Sequence, residues 1–263
     1  SYGSRGLGDV YKRQFQNHLL QLLMITAMEA PARFTADMVR DEKVKVLQAI
    51  RKYHGDDFVQ NTFRGQYEGY LQEEGVPAES RTPTFSAIKL HVDNWRWNGV
   101  PFYLRSGKAM SCRTTQIVIQ FREPPHLLFN EDRRGSWDAN QLVIQIQPAE
   151  GIQLQFHTKV PDAGMQLRMT NLDFSFSREF SGAMPDAYQR LLLDALNGDA
   201  SLFARSDEVE LAWGIIDPIT EFWQQMNQPE IFRYPVGQWG PQESDGWIGH
   251  DGRRWFDVCP ILH

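Results

Sequence analysis

Between Phe58 and Ser177 the apolar residues of this chain recur at every second position, and that period constrains the fold more than any other feature of the sequence. Ile88, Leu90 and Val92 alternate with Lys89, His91 and Asp93, and Ile117, Ile119 and Phe121 with Gln116, Val118 and Gln120. Leu142, Ile144 and Ile146 alternate with Val143, Gln145 and Gln147. Ile152, Leu154 and Phe156 do so with Gln153, Gln155 and His157, and Leu172, Phe174 and Phe176 with Asp173, Ser175 and Ser177. Each run presents one apolar and one mostly polar face. Parallel strands covered on both sides read as continuous apolar runs, so alternation predicts antiparallel strands covered on one side.

Helical signals flank this region. Leu19, Leu22, Leu23 and Met28, with Pro31 as a stop, predict a helix from about Gln16 to Met28. A second is predicted over Ala36–Lys52, with Asp41 and Lys45 spaced to pair on its outer side. Beyond the strands, Pro185 suits a first helical position, and Tyr188, Leu191, Leu192 and Ala195 form a stripe that Gly198 can close. Ser206, with Asp207 and Glu208, is expected to cap a further helix. The tail from Gln228, rich in Gly, Pro and Trp, is expected to be ordered by packing and not by a backbone ladder of its own. The predicted class is α+β: a large, mainly antiparallel β-sheet with helices packed on one face, preceded and followed by helices. Residues 1–14 show neither period and read as a non-native or disordered segment, leaving 15–263 as one domain.

Composition excludes several function classes. A net charge of −6 argues against binding nucleic acid through an overall positive field. Cys112 and Cys259 are too few and too far apart in sequence for a disulfide framework or a C-x-x-C metal site. Seven histidines are present, none in a metal-ligand spacing, so no metal is expected. Neither a Walker loop nor a G-x-S-x-G elbow occurs. With no apolar run long enough for a membrane span and no signal-peptide pattern, the expected location is cytoplasmic.

Two places can carry chemistry. His18 lies in the first turn of the first helix, where a neutral imidazole can accept a proton from a substrate hydroxyl or merely pack and cap. The segment Leu104-Arg105-Ser106-Gly107-Lys108, read as a turn between strands, and the nearby Arg113 place three cations within nine residues. They can converge on a phosphate or carboxylate, or be the solvated tip of a hairpin.

Seven blocks turn this pattern into a resemblance. QNHLLQLL (16–23), AMEAPARF (27–34), VRDEKVKVL (39–47), GQYEGY (65–70), DNWRWNGVPFYLRSGK (93–108), PDAYQRLLLD (185–194) and RSDEVELAW (205–213) stand in order. Together the chain from about 15 to 255 resembles the C-terminal domain of glucose-6-phosphate dehydrogenase. The resemblance implies that His18 is the general base at the C1 hydroxyl of glucose 6-phosphate, and that Lys108, Arg113 and Gln147 contact that substrate. It also implies hydride transfer to NADP or NAD, giving 6-phosphoglucono-lactone in the pentose phosphate pathway, and a homodimer or higher homo-oligomer formed through the sheet. That cofactor is bound mainly by the family's N-terminal coenzyme domain, which this sequence lacks. Position 13, where the family carries a substrate-contacting aspartate, is Arg13. Thr114, Gln145, Gln153 and Gln155 stand where some members carry basic or aromatic groups for a second, structural NADP, so no cofactor-binding residues are assigned in this chain. Taken alone the chain is expected to be catalytically inactive. The alternative is a non-catalytic dimerisation or interaction scaffold.

Overall fold

A computed structural model describes residues 15–123, 139–164, 166–180 and 187–259. The expectations for residues 1–14 and for Pro185 lie outside them. The chain divides into two compact units: Ser1–Ser111 with Pro185–Trp255, and Cys112–Met184 with Phe256–His263.

The first unit opens with a π-helical turn, Phe15–Leu19, that runs into α1 (Leu20–Ala27). Then follow α2 (Ala36–Gln48), β1 (Thr62–Tyr67), β2 (Phe85–His91) and β3 (Pro101–Gly107). The second unit contributes β4 (Thr115–Gln120), β5 (Gln141–Gln147), β6 (Gly151–Lys159) and β7 (Leu167–Ser175). The chain returns to the first unit with α3 (Ala187–Leu196), α4 (Ser206–Met226), β8 (Ile231–Tyr234) and α5 (Glu243–Gly249).

The α+β class and the mainly antiparallel pairing are as the period predicts, with the strands shared between two sheets of four, ordered β3-β2-β1-β8 and β4-β5-β6-β7. β8 pairs with β1 in parallel, Arg64 opposite Ile231 and Tyr67 opposite Tyr234. The tail therefore does have a backbone ladder, contrary to expectation, because a free edge of β1 is available to it.

Alternation along these strands gives the first sheet two different faces. Ile88, Leu90 and Leu104 meet Leu20, Leu23 and Met24 of α1, Val46 and Leu47 of α2, and Ala212, Ile216, Ile219 and Trp223 of α4 in one buried core. Burial of each such side chain is worth roughly 1.5–3 kcal/mol. Phe63, Phe85, Ala87 and Tyr234 face the other way, where Phe232, Met110, Trp247 and Trp255 cover them. α4 continues through Pro218 and ends at Asn227, whose φ is +57°. Ile216, Ile219 and Trp223 are buried on either side of the proline, and that packing offsets the lost backbone bond.

Charges join α2 to α4. The Lys43 ammonium lies 3.1 Å from Glu208, with the two side chains only 5% and 1% exposed, and Gln21 of α1 also donates to Glu208. At the rim Arg205 bonds Asp41 at 2.7 Å and Asp207 at 2.8 Å. Two local expectations fail here. Lys45 pairs with Glu42, not Asp41, because Arg205 takes Asp41. Ser206 does not cap α4; Asp207 Oδ1 accepts the Glu208 amide at 2.8 Å.

In the second unit Cys112 and Cys259 form a disulfide, with Cα atoms 6.0 Å apart. Their sequence separation concealed this, because the segment after Trp255 returns to β4, where Gln116 Nε2 donates to Phe256 O at 3.2 Å.

Candidate functional site

Local sequence explains why His18 projects outward. Phe15 and Gln16 are buried at one end of the π-helical turn and Leu20 at the other, while Asn17 and His18 between them are exposed. The i→i+5 spacing inserts one more residue than an α-turn would, and such turns are frequent at functional sites. This turn packs against β3 and α4.

β3 positions the candidate cations. Leu104–Gly107, read from sequence as a turn, is strand. Pairing with β2 runs from Pro101 opposite His91 to Gly107 opposite Phe85, and this cross-strand ladder outweighs the turn preference of Ser-Gly. Alternation then separates the cations. Leu104 lies in the core that contains Phe15, and Ser106 and Lys108 continue that side of the strand. Arg105 faces the opposite side, its guanidinium 5.4 Å from the Trp239 ring and 4.5 Å from that of Trp255. Arg105 thus belongs to the aromatic layer and does not converge with Lys108.

Lys108 is exposed where β3 leaves the sheet, and among the described residues its ammonium has no acidic partner. Its backbone is held closely. Lys108 N–H donates to Thr84 O at 2.8 Å, and Lys108 O accepts from the Tyr234 hydroxyl at 2.8 Å. Ala109 follows at φ +50°, and its carbonyl accepts from Gly237 N at 2.8 Å. Ser111 N donates to Gln238 O at 3.1 Å. The partners 126 and more residues away gave no signal in the sequence, where FRYPVGQWG read only as tail.

Arg113 and Gln147 lie in the second unit. Both are exposed. Gln147 ends β5 opposite Thr115, and Thr114 Oγ1 donates to Gln147 O at 3.1 Å, so Arg113 directly precedes the residues that hold Gln147. The structure therefore brings His18's turn and Lys108's strand together in one unit, and Arg113 and Gln147 in the other. Further along this sheet Gln153 Nε2 donates to Asp173 at 2.7 Å and Gln155 Nε2 donates to Gln153 Oε1 at 3.0 Å. Among the described residues no group of three or more His, Cys, Asp or Glu is placed to hold a metal ion, and no helix is long and apolar enough to cross a membrane.

A family model described as glucose-6-phosphate dehydrogenase, C-terminal domain, matches residues 9–256. This chain belongs to the glucose-6-phosphate dehydrogenase family. It is 47% identical over 255 residues to a glucose-6-phosphate 1-dehydrogenase of Rhizobium meliloti, covering 92% of this chain and 51% of the relative. Against the Treponema pallidum enzyme of the same name it is 44% identical, covering 94% and 50%. Among solved structures it is similar to glucose-6-phosphate 1-dehydrogenase from Mycobacterium avium, with TM-score 0.80 and 33% identity over 99% of this chain and 55% of that one. A glucose-6-phosphate dehydrogenase in complex with its substrate glucose-6-phosphate gives TM-score 0.83 and 34% identity over 97% and 54%. The chain spans about half the length of the relatives it matches.

Proposed function

We propose that this chain is the substrate-binding and proton-accepting part of a glucose-6-phosphate dehydrogenase, which oxidises glucose 6-phosphate at C1 to the 6-phosphoglucono-lactone. The observation that carries the reading is the exposed His18 turn packed against β3, the strand that Lys108 directly follows, with no acidic partner for that lysine among the described residues. His18 takes the proton of the C1 hydroxyl, and Lys108 attracts the dianionic phosphate at the other end of the sugar. Arg113 adds a second charge-assisted contact and Gln147 a neutral one. Fixing both ends of the substrate is what holds C1 within reach of a base.

NADP or NAD accepts the hydride in this reading. The described residues do not fit that cofactor: among them no strand leads through a Gly-rich turn into a helix, and the strands of the second sheet are antiparallel. Turnover therefore requires protein beyond these residues. Purified by itself, with glucose 6-phosphate and NADP, the chain is expected to give no steady-state rise in absorbance of the reduced cofactor. Clear turnover would overturn this.

Substrate binding is tested by calorimetric titration of glucose 6-phosphate into the chain. Arg113→Ala is expected to weaken binding more than Gln147→Ala, because a charge-assisted bond contributes about twice a neutral one. Equal losses would contradict the assignment. We propose further that copies pair through the β4–β7 sheet, on which Ile152, Leu172 and Phe174 are exposed. A dimer by gel filtration that ignores glucose 6-phosphate and is unaffected by Lys108→Ala would favour the scaffold reading instead.

A further inference from the structure

We infer that Tyr234 is a positioning residue for Lys108, acting through a hydrogen-bonded relay that crosses the first sheet from β1 to the end of β3. This rests on the reading of Lys108 as a phosphate contact and goes beyond it by naming what sets that contact's geometry.

The relay follows from donor and acceptor capacity. Tyr67 N–H donates to Thr84 Oγ1 at 2.9 Å, so one lone pair of that hydroxyl is taken. The Thr84 hydroxyl lies 3.1 Å from the Tyr234 oxygen, and the Tyr234 oxygen lies 2.8 Å from Lys108 O and 3.3 Å from Thr84 O. A phenol has one proton, and the shortest of these contacts takes it, so Tyr234 donates to Lys108 O and accepts from Thr84. Thr84 and Tyr234 are both buried, and each member of the chain polarises the next. Tyr234 is 0% exposed, and burial pushes its hydroxyl up to about 12 against opposing contributions from its bonds to Thr84 and Lys108. The donor therefore stays protonated throughout the neutral range.

Its location makes this bond more than a packing contact. Lys108 is the first residue beyond β3, and its N–H is already fixed to Thr84 O. With the carbonyl fixed as well, both peptide planes of Lys108 are tied to the interior while its side chain remains exposed. Ala109 must then take φ +50°, a conformation that the Gly237 bond to its carbonyl supports. Loss of the phenolic proton leaves Lys108 O to find another donor, and the base of the lysine moves with it.

The test uses Tyr234→Phe, which keeps the ring packed on Tyr67 and Phe85 at 6.4 and 5.9 Å and removes only the hydroxyl. Glucose 6-phosphate affinity is measured by calorimetry in phosphate-free buffer for wild type, Tyr234→Phe, Lys108→Ala and the double variant. Tyr234→Phe is expected to weaken binding about 5–10-fold, the typical worth of one hydrogen bond. In the Lys108→Ala background it is expected to have no further effect, while its small effect on thermal unfolding is the same in both backgrounds. An equal loss of affinity in both backgrounds, or no loss where Lys108→Ala does weaken binding, would overturn the inference. A second measurement is independent of the sugar. In chain whose lysines carry ¹³C-methyl groups, Tyr234→Phe is expected to shift the Lys108 resonance selectively. If that resonance does not move, positioning by Tyr234 is wrong. If it moves while Lys108→Ala leaves affinity untouched, the phosphate reading of Lys108 is what fails.

Discussion

Replacing Lys43 by methionine is expected to lower the free energy of unfolding by about 3–5 kcal/mol, because it leaves Glu208 charged and uncompensated inside the α2–α4 contact. Lys43 and Glu208 are among the least exposed charged side chains described, and each supplies the other's counter-charge across helices far apart in sequence. Once the ammonium is gone the Gln21 amide still donates to Oε1, but it carries no counter-charge, and the other oxygen, Glu208 Oε2, has no hydrogen-bond partner even with lysine present. Replacing both residues, Lys43→Met with Glu208→Leu, is expected to recover most of that loss, since a buried pair exchanged for apolar groups of similar volume is often neutral or stabilising. Urea unfolding at neutral pH gives both values. A loss below about 1 kcal/mol for the single variant would show that solvent reaches the pair, as it does in exposed pairs.

The second large effect is expected from reduction of the Cys112–Cys259 bond. Closing a loop between residues 147 positions apart removes unfolded-chain entropy worth about 5 kcal/mol in the simplest treatment, and measured effects of native disulfides fall at about 2–5 kcal/mol. The loss should concern the second unit, where both cysteines lie. A Cys112→Ser, Cys259→Ser variant should match the reduced protein and respond no further to reductant. Finding two titratable thiols in the untreated native chain would refute the pairing.

Legibility of the sequence followed physical cause. Strands β4 to β7 announced themselves because one of their faces is apolar and the other is largely glutamine, threonine and aspartate. β1 did not, because its polar residues are not on a wet face. Arg64 and Gln66 are buried, the first bonded to Pro229 O at 3.0 Å and Trp223 O at 3.2 Å, the second to Ser80 O and Thr82 O at 3.0 and 2.7 Å. A buried polar side chain with distant carbonyl partners has no local period. The GQYEGY block is explained in the same terms: a Cβ on Gly65 would stand 2.5 Å from Pro241 Cγ, and Gly69 takes φ +93° before the buried Tyr70. At the candidate site, residue types pointed to His18 and to the cations Arg105, Lys108 and Arg113, and the resemblance added Gln147, but only strand alternation could show that Arg105 faces away from Lys108. The relay behind Lys108 was illegible because Tyr67, Thr84 and Tyr234 meet through three separate strands or strand ends.

The first sheet closes with β8, which lies beside β1 in space but is reached only after Cys112–Met184 of the second unit has been traversed. During synthesis β1, β2 and β3 must therefore leave the ribosome with the β1 edge open and wait while well over a hundred further residues are made. At about 5–20 residues per second that interval lasts many seconds, during which an unpaired strand is available to other nascent chains. Strands β4 to β7 of the intervening segment have sequence-local neighbours and can pair early, whereas the sheet against which His18's turn packs gains its last strand only when β8 emerges.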